Sequence, residues 1–136
     1  MHKRLLAGLA FVAIASTVRA QAPVMSDSTK RAAITETKSA LRNLITAQEK
    51  YWADHGSYTT DGKGLGIYPN DRAKPLVQVI LAGGRGWTAM ATHPSLKGKS
   101  CVVYVGIVRE IGWGLPETSA DHVKAAQDGM PVCDVP

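Results

Sequence analysis

The chain has 136 residues, of which 45% are hydrophobic and 20% are charged, and its formal net charge is +5. This length allows one domain, and no second domain fits beside it. Outside the first twenty residues, 13 basic and 11 acidic residues remain. This near-neutral remainder gives little support to nucleic-acid binding, which requires a clustered basic face.

Residues 1–20 have the layout of a secretory signal peptide. A basic start at Lys3 and Arg4 precedes an apolar stretch, and small residues stand close to position 20. We therefore expect cleavage between Ala20 and Gln21 and export to the periplasm or the cell exterior. The alternative is an uncleaved membrane anchor over residues 5–18 (Leu5 to Val18), although this segment is shorter than the ~20 apolar residues that cross a bilayer.

The next segment leads into an amphipathic helix. Residues 21–29 are polar and contain proline, which is typical of a linker, and one of the residues 26–28 can cap a helix. From Lys30 to His55 there is no glycine or proline, and apolar residues recur at steps of three and four. The predicted apolar stripe consists of Ile34, Leu41, Leu44, Ile45, Gln48, Tyr51 and Trp52. Gly56 can end the helix in a left-handed conformation.

The chain after this helix predicts an antiparallel meander. Residues 57–75 contain several glycines and prolines and are interpreted as a long connecting loop. The β-branched run Leu76–Ala82, the glycine-rich turn at residues 83–86 and the alternating run Trp87–His93 predict a hairpin. Cys101–Val108 predicts a third, central strand. Because the helix precedes the strands, the pattern indicates an α+β fold.

The C-terminal region is bounded by two cysteines. Cys101 and Cys133 are the only cysteines of the chain, and in an exported protein we expect them to pair. Closing a loop of this length stabilises the fold by about 3.5–4 kcal/mol on the chain-entropy account. Between them, Gly112–Gly114 and Pro116 predict irregular structure, while Ser119–Gln127 allows a short helix capped by Ser119.

Four short segments, taken together, resemble the globular head of bacterial type IV pilins and type II secretion pseudopilins. They are LRNLITAQEKY at Leu41–Tyr51, GSYTT at Gly56–Thr60, GWTAMATH at Gly86–His93 and PVCD at Pro131–Asp134. The resemblance implies a pilin-like head over residues 30–136, in which a long N-terminal helix packs on a meander of three to four strands and a disulfide bounds the C-terminal loop. It also implies a non-enzymatic structural or interaction protein. Its partners would be protein subunits of a filament, a secretion system or a membrane-associated complex.

The N-terminus departs from that family. Family members carry a leader that ends in Gly and is cut before a hydrophobic helix beginning with Phe and containing a Glu near its start. This chain has no Gly-Phe junction, and its first acidic residue is Asp27. A head cleaved after Ala20 would lack the hydrophobic stalk that packs in a filament core. The alternative is a membrane-anchored subunit that retains residues 5–18 as a stalk.

We predict no catalytic residue, no cofactor and no metal site. The four histidines are scattered along the chain, without a nucleophile in a recognisable setting beside them, and are interpreted as isolated surface or capping residues. The aspartates Asp54, Asp61 and Asp71 do not follow the spacing of a calcium-binding loop. A small secreted ligand-binding protein or enzyme stays as a second alternative, which a well-formed polar pocket would favour.

The candidate partner contacts are Trp113, Arg85, Lys97 and Lys99. Trp113 lies between two glycines in an irregular segment, so we expect it to be exposed, and tryptophan is enriched at binding hot spots. Trp52 and Trp87 are expected in the core. Arg85, Lys97 and Lys99 are expected on neighbouring turns, where they would form a small basic patch, unless the two lysines are simply solvated.

Overall fold

The computed structural model describes residues 24–67, 71–109 and 112–136, and these contain one helix followed by four strands. The elements are α1 Asp27–His55, β1 Leu76–Ala82, β2 Gly86–Thr92, β3 Ser100–Gly106 and β4 Val132–Cys133. The strands form one antiparallel sheet in the order β1-β2-β3-β4, and α1 packs on β2, β3 and β4. The prediction of an α+β fold is confirmed. The expected cleavage site between Ala20 and Gln21 lies outside the described residues.

Capping residues define both ends of α1. The Ser26 side chain accepts a hydrogen bond from the Thr29 N–H, and Gly56, at φ 72°, donates its N–H to the Trp52 carbonyl at 2.7 Å. The buried face consists of Ala33, Thr37, Leu41, Leu44 and Gln48. Leu41, Leu44 and Gln48 confirm part of the predicted stripe, whereas the smaller Ala33 and Thr37 are buried without having been predicted. Trp52 is 42% exposed, so its predicted place in the core is wrong.

The core lies between α1 and one face of the sheet. Its buried residues are Leu41, Leu44, Val79, Trp87, Ala89, Ala91, Cys101 and Val103. On β2 these are alternate positions, as the period of a half-buried strand requires. Trp87 is the largest fully buried side chain of the described residues, which confirms its predicted place in the core. The side chain of the buried Gln48 holds the loop that follows α1, since it bonds both the carbonyl and the N–H of Thr59, at 2.7 and 3.1 Å.

The segment between β3 and β4 covers the other face of β2 and β3. Tyr104 Oη donates to the Ala126 carbonyl, and the Ser119 hydroxyl lies 3.0 Å from that of Ser100. The short helix allowed at Ser119–Gln127 does not form, because the N–H groups of Val123 and Ala125 bond to Thr118 Oγ1 and to the Pro116 carbonyl instead of within a helix, and His122 has a left-handed φ of 53°. Instead, residues 117 and 124 form an isolated β-bridge.

Candidate interaction surfaces

The candidate basic residues lie at opposite ends of the sheet. Arg85 lies in the turn before β2, whereas Lys97 and Lys99 lie in the turn after it. At about 3.4 Å per residue, β2 separates these turns by roughly 20 Å. The expected basic patch of all three therefore does not form, because successive turns of an antiparallel meander alternate between its ends. The Lys99 ammonium donates to the carbonyl of Val135, while Lys97 is exposed.

Trp113 lies at the same end of the sheet as Arg85. Its backbone N–H donates to the Val108 carbonyl at 2.9 Å, and its ring packs so closely on Gly83 that a Cβ there would lie 3.6 Å from the ring. Trp113 is half-buried rather than exposed. A cleft of about 400 Å³ adjoins it, and Arg109 and Lys124 are among the residues that line this cleft. Tryptophan and arginine are both enriched at protein-binding surfaces, so Trp113 with Arg109 favours such a surface here.

A second tryptophan lies on the same turn. The Trp52 indole N–H donates to the Gly84 carbonyl at 3.2 Å, while 42% of the residue stays exposed. Trp52 and Trp113 thus contact the adjacent turn residues Gly84 and Gly83. We call this end of the sheet, with its two tryptophans, the tryptophan end. The helical repeat places Trp52 among core positions, so its sequence position does not indicate a surface role.

A histidine and a glutamate form an acid–base pair at the other end of β2. His93 is 8% exposed, and its Nε2 lies 3.3 Å from Glu36 Oε2 on α1. Glu36 Oε1 accepts a hydrogen bond from Lys74 at 2.7 Å. The hydrogen bonds from Lys74 and then from His93 hold the pKa of Glu36 below its usual range. The interpretation of His93 as an isolated surface residue is therefore wrong.

The hydrogen bonds of His93 assign it a structural role. The Ser95 backbone N–H donates to His93 Nδ1 at 3.0 Å, so Nδ1 must be the unprotonated nitrogen. Nε2 then carries the proton and donates a hydrogen bond to Glu36 Oε2. Because both ring nitrogens are engaged within the protein, this imidazole has no free nitrogen with which to act as a general base. The pair joins α1 to the start of β1, through Lys74, and to the end of β2.

Asp134 organises the C-terminal region. Its carboxylate, 2% exposed, accepts hydrogen bonds from the backbone N–H groups of Ser100, Ala120 and Asp121 at 2.8, 3.1 and 2.7 Å. Burial raises the pKa of this carboxyl. The hydrogen bonds from the Thr118 side chain and the three N–H groups together lower the pKa by more than burial raises it, so the pKa lies below its usual value. Asp134 thus binds the residues after β4 to β3 and to the segment that covers the sheet.

The predicted disulfide is confirmed. Cys101 and Cys133 are direct partners in the pairing of β3 with β4, and a disulfide joins them across 32 residues of chain. Within the part of the chain that the structure describes, no three side chains that favour metals lie together. No helix of the described residues has the length and apolarity needed to cross a bilayer.

Comparison with known proteins gives no family. No family model matches the chain, and no curated protein matches it either. The contacts described above are therefore the basis for a functional assignment, together with the resemblance carried by the short segments.

No local pattern in the sequence indicates the contacts of Glu36, His93 or Asp134. Glu36 and His93 are 57 residues apart, and the N–H donors of Asp134 lie 13 to 34 residues before it. The one available signal was the PVCD segment, in which Asp134 directly follows the cysteine of the disulfide. That segment indicated a resemblance but gave the carboxylate no role.

Proposed function

We propose that this protein is an exported, non-enzymatic, pilin-like interaction module, a subunit or accessory of a filament, a secretion system or a membrane-associated complex. The observation that carries this proposal is the packing of α1 across the antiparallel sheet, with the C-terminal segment fastened to β3 by the Cys101–Cys133 disulfide. The resemblance of Leu41–Tyr51, Gly86–His93 and Pro131–Asp134 to the pilin head implies such an arrangement.

Two further observations support this proposal. A disulfide persists in an oxidising compartment, in agreement with the signal-like chemistry of residues 1–20. The tryptophan end offers aromatic and cationic side chains around a shallow cleft, which suits contact with another protein. The clearest acid–base pair, His93 with Glu36, is engaged in fastening α1 to the hairpin.

The tryptophan end can be tested by photo-crosslinking of the full chain in its native host. A photoreactive amino acid replaces Trp113, and the same amino acid replaces Arg42, on the exposed side of α1, as the control. We expect the Trp113 position to give a covalent adduct with a subunit of a cell-surface or membrane-associated assembly, at a yield well above that of the control. Equal yields at the two positions, or a chain confined to the cytoplasm, would contradict the proposal.

The mass of the native chain separates the cleaved from the anchored form. We expect a mature N-terminus at Gln21. An intact chain recovered from the membrane fraction would favour the alternative, in which residues 5–18 are retained as a stalk.

A further inference from the structure

One edge of the sheet has no neighbouring strand. β1 is the first strand in the sheet order, and among the described residues no hydrogen bond joins its outer edge to another segment. Residues 60–67 run close by, but a cleft of about 190 Å³, lined by Thr60, Gly62 and Ile67, lies between them and β1. This segment therefore does not take the place of a fifth strand.

The ladder identifies which backbone groups of β1 face outward. The Ile107 N–H donates to the Arg85 carbonyl, and antiparallel bonding to β3 recurs at every second residue from there. The intervening residues bond to β1 instead, and these are Thr88, Met90 and Thr92. Their partners on β1 are Leu81, Gln78 and Leu76. Val77 and Val79, which flank Gln78, consequently direct their N–H and C=O groups away from the sheet.

β1 lacks most of the features that protect an edge strand. Its sequence, LVQVILA, has no charged residue, and Leu76 and Ile80 are 54% and 44% exposed. Soluble proteins usually protect an edge with charges, prolines or bulges. Here a shift of register between Val79 and Leu81 interrupts the strand, but Leu76–Val79 keeps regular pairing. The regular part of the edge is therefore short, uncharged and open.

We propose that β1 of a second copy of this chain occupies this edge, antiparallel to the first, around a two-fold axis at Gln78. Val77 then exchanges two backbone hydrogen bonds with Val79 of the second copy, and Val79 does the same with Val77 of the second copy. The two glutamines face each other at a non-hydrogen-bonded position, where Cα atoms lie about 4.5 Å apart. Their side-chain amides can hydrogen-bond to each other there.

Self-pairing suits the chemistry of this edge. Any β-strand presents outward backbone groups on alternate residues, so the backbone of a second β1 can complete this edge. No like charges meet, because the strand is uncharged. The pairing also brings the exposed Leu76 beside the exposed Ile80 of the second copy, so that each covers the other. These arguments use only the edge of β1 and hold whether or not the protein is pilin-like.

Pairing through one short strand gives a weak dimer. The contact is smaller than the roughly 1,200–2,000 Å² that specific, stable interfaces bury. We therefore expect exchange between monomer and dimer that depends on protein concentration.

Cysteine crosslinking of the full chain tests the proposed axis. In Gln78→Cys the two new thiols lie at a Cα separation of about 4.5 Å, within the range that a disulfide spans. Mild oxidation should give a dimer linked through residue 78, identified by peptide mass mapping, with the Cys101–Cys133 bond intact. Gln127→Cys, at an exposed glutamine away from β1, is the control. Comparable yields for the two variants would overturn the proposal.

A second measurement uses charge instead of a crosslink. Gln78→Lys places two ammonium groups at the axis. Analytical sedimentation should then show no dimer, while the Tm stays unchanged. The control variant Gln127→Lys should retain the dimer. In the wild type, exchange of the Val77 and Val79 amide protons should slow as concentration rises. A monomer at all concentrations up to about 1 mM would overturn the proposal. So would a dimer that persists in Gln78→Lys, since association would then use another surface.

Discussion

The two edges of the sheet are held in different ways. β4 has only two residues, yet a disulfide joins it to β3, and the carboxylate of Asp134 immediately after it accepts three backbone hydrogen bonds. β1 has seven residues, but of the strands in the described part of the chain only β2 bonds to it, and an exposed ion pair from Lys74 lies at its start. The shorter strand therefore has the stronger attachment.

The two edges therefore differ in what they do: the contacts at the β4 edge stabilise the fold, whereas the β1 edge is available for association. At the β4 edge, covalent and buried polar contacts replace the strand length that a ladder would otherwise need. At the β1 edge, no hydrogen bond from the described residues pairs the outward backbone groups, which we propose are available for association. We infer that substitutions near β4 will change the free energy of unfolding, whereas substitutions on the outside of β1 will change assembly.

The largest expected effect is loss of the disulfide. Cys133→Ser opens a loop of 32 residues, which on the chain-entropy account destabilises the fold by about 3 kcal/mol or more. For a domain of this size, Tm should fall by roughly 15 °C. Thermal unfolding followed by circular dichroism measures the change.

The reduced wild type serves as the control for this variant. It should unfold near the Tm of Cys133→Ser, because both lack the same bond. An unchanged Tm for the variant under oxidising conditions would show that Asp134 alone fastens the β4 edge.

A smaller effect is expected from Asp134→Asn. The substitution places an amide NH₂, which is a hydrogen-bond donor, where backbone N–H groups need an acceptor. A buried charged acceptor of this kind contributes about 2 kcal/mol to the free energy of unfolding. Asp54→Asn, at an exposed carboxylate on α1, is the matched control and should leave the free energy of unfolding unchanged. Equal stability of the two variants would contradict the role assigned to Asp134.

The same carboxylate predicts a pH dependence. Its pKa is lowered in the folded state, so its contribution is complete above the unfolded pKa of about 4 and is lost as the pH falls through the folded pKa. Urea unfolding measures the free energy of unfolding as a function of pH. The difference in this free energy between wild type and Asp134→Asn should be constant near neutrality. The difference should shrink below about pH 4. A difference that grows on acidification would have the wrong sign for this mechanism.

Local signals predicted much of the fold. The bounds of β1 and the end of α1 at Gly56 follow from runs of residues and from breakers that act within a few positions. The face of α1 was predicted less well, because Thr37 and Ala33 are buried while the larger Trp52 is exposed. Residue size alone did not reveal how closely the helix approaches the sheet.

The polar contacts could not be predicted, for a physical reason. Asp134 and His93 bond to groups that are distant in sequence, and a single carboxylate or imidazole has no spacing that a pattern could reveal. The failure at Ser119–Gln127 has a different origin. That segment has a capping residue, but the Val123 and Ala125 N–H groups bond to Thr118 Oγ1 and to the Pro116 carbonyl rather than to carbonyls four residues earlier, and residues 117 and 124 pair as a β-bridge.

The smallest expected effect concerns the ion pair at the start of β1. Glu36→Gln removes the charge that Lys74 and His93 share. Solvent screens the ion pair with Lys74, because the Lys74 and Glu36 side chains are 59% and 38% exposed. The new amide oxygen can still accept the hydrogen bond from the buried His93. We expect a fall in Tm smaller than that of Asp134→Asn, and one that fades as salt is added. Lys38→Gln, on the same helix, is the control, because Lys38 has no ion-pair partner among the described residues. If Glu36→Gln destabilised the protein as much as Asp134→Asn, the two edges would be fastened equally well, and the contrast between them would fail.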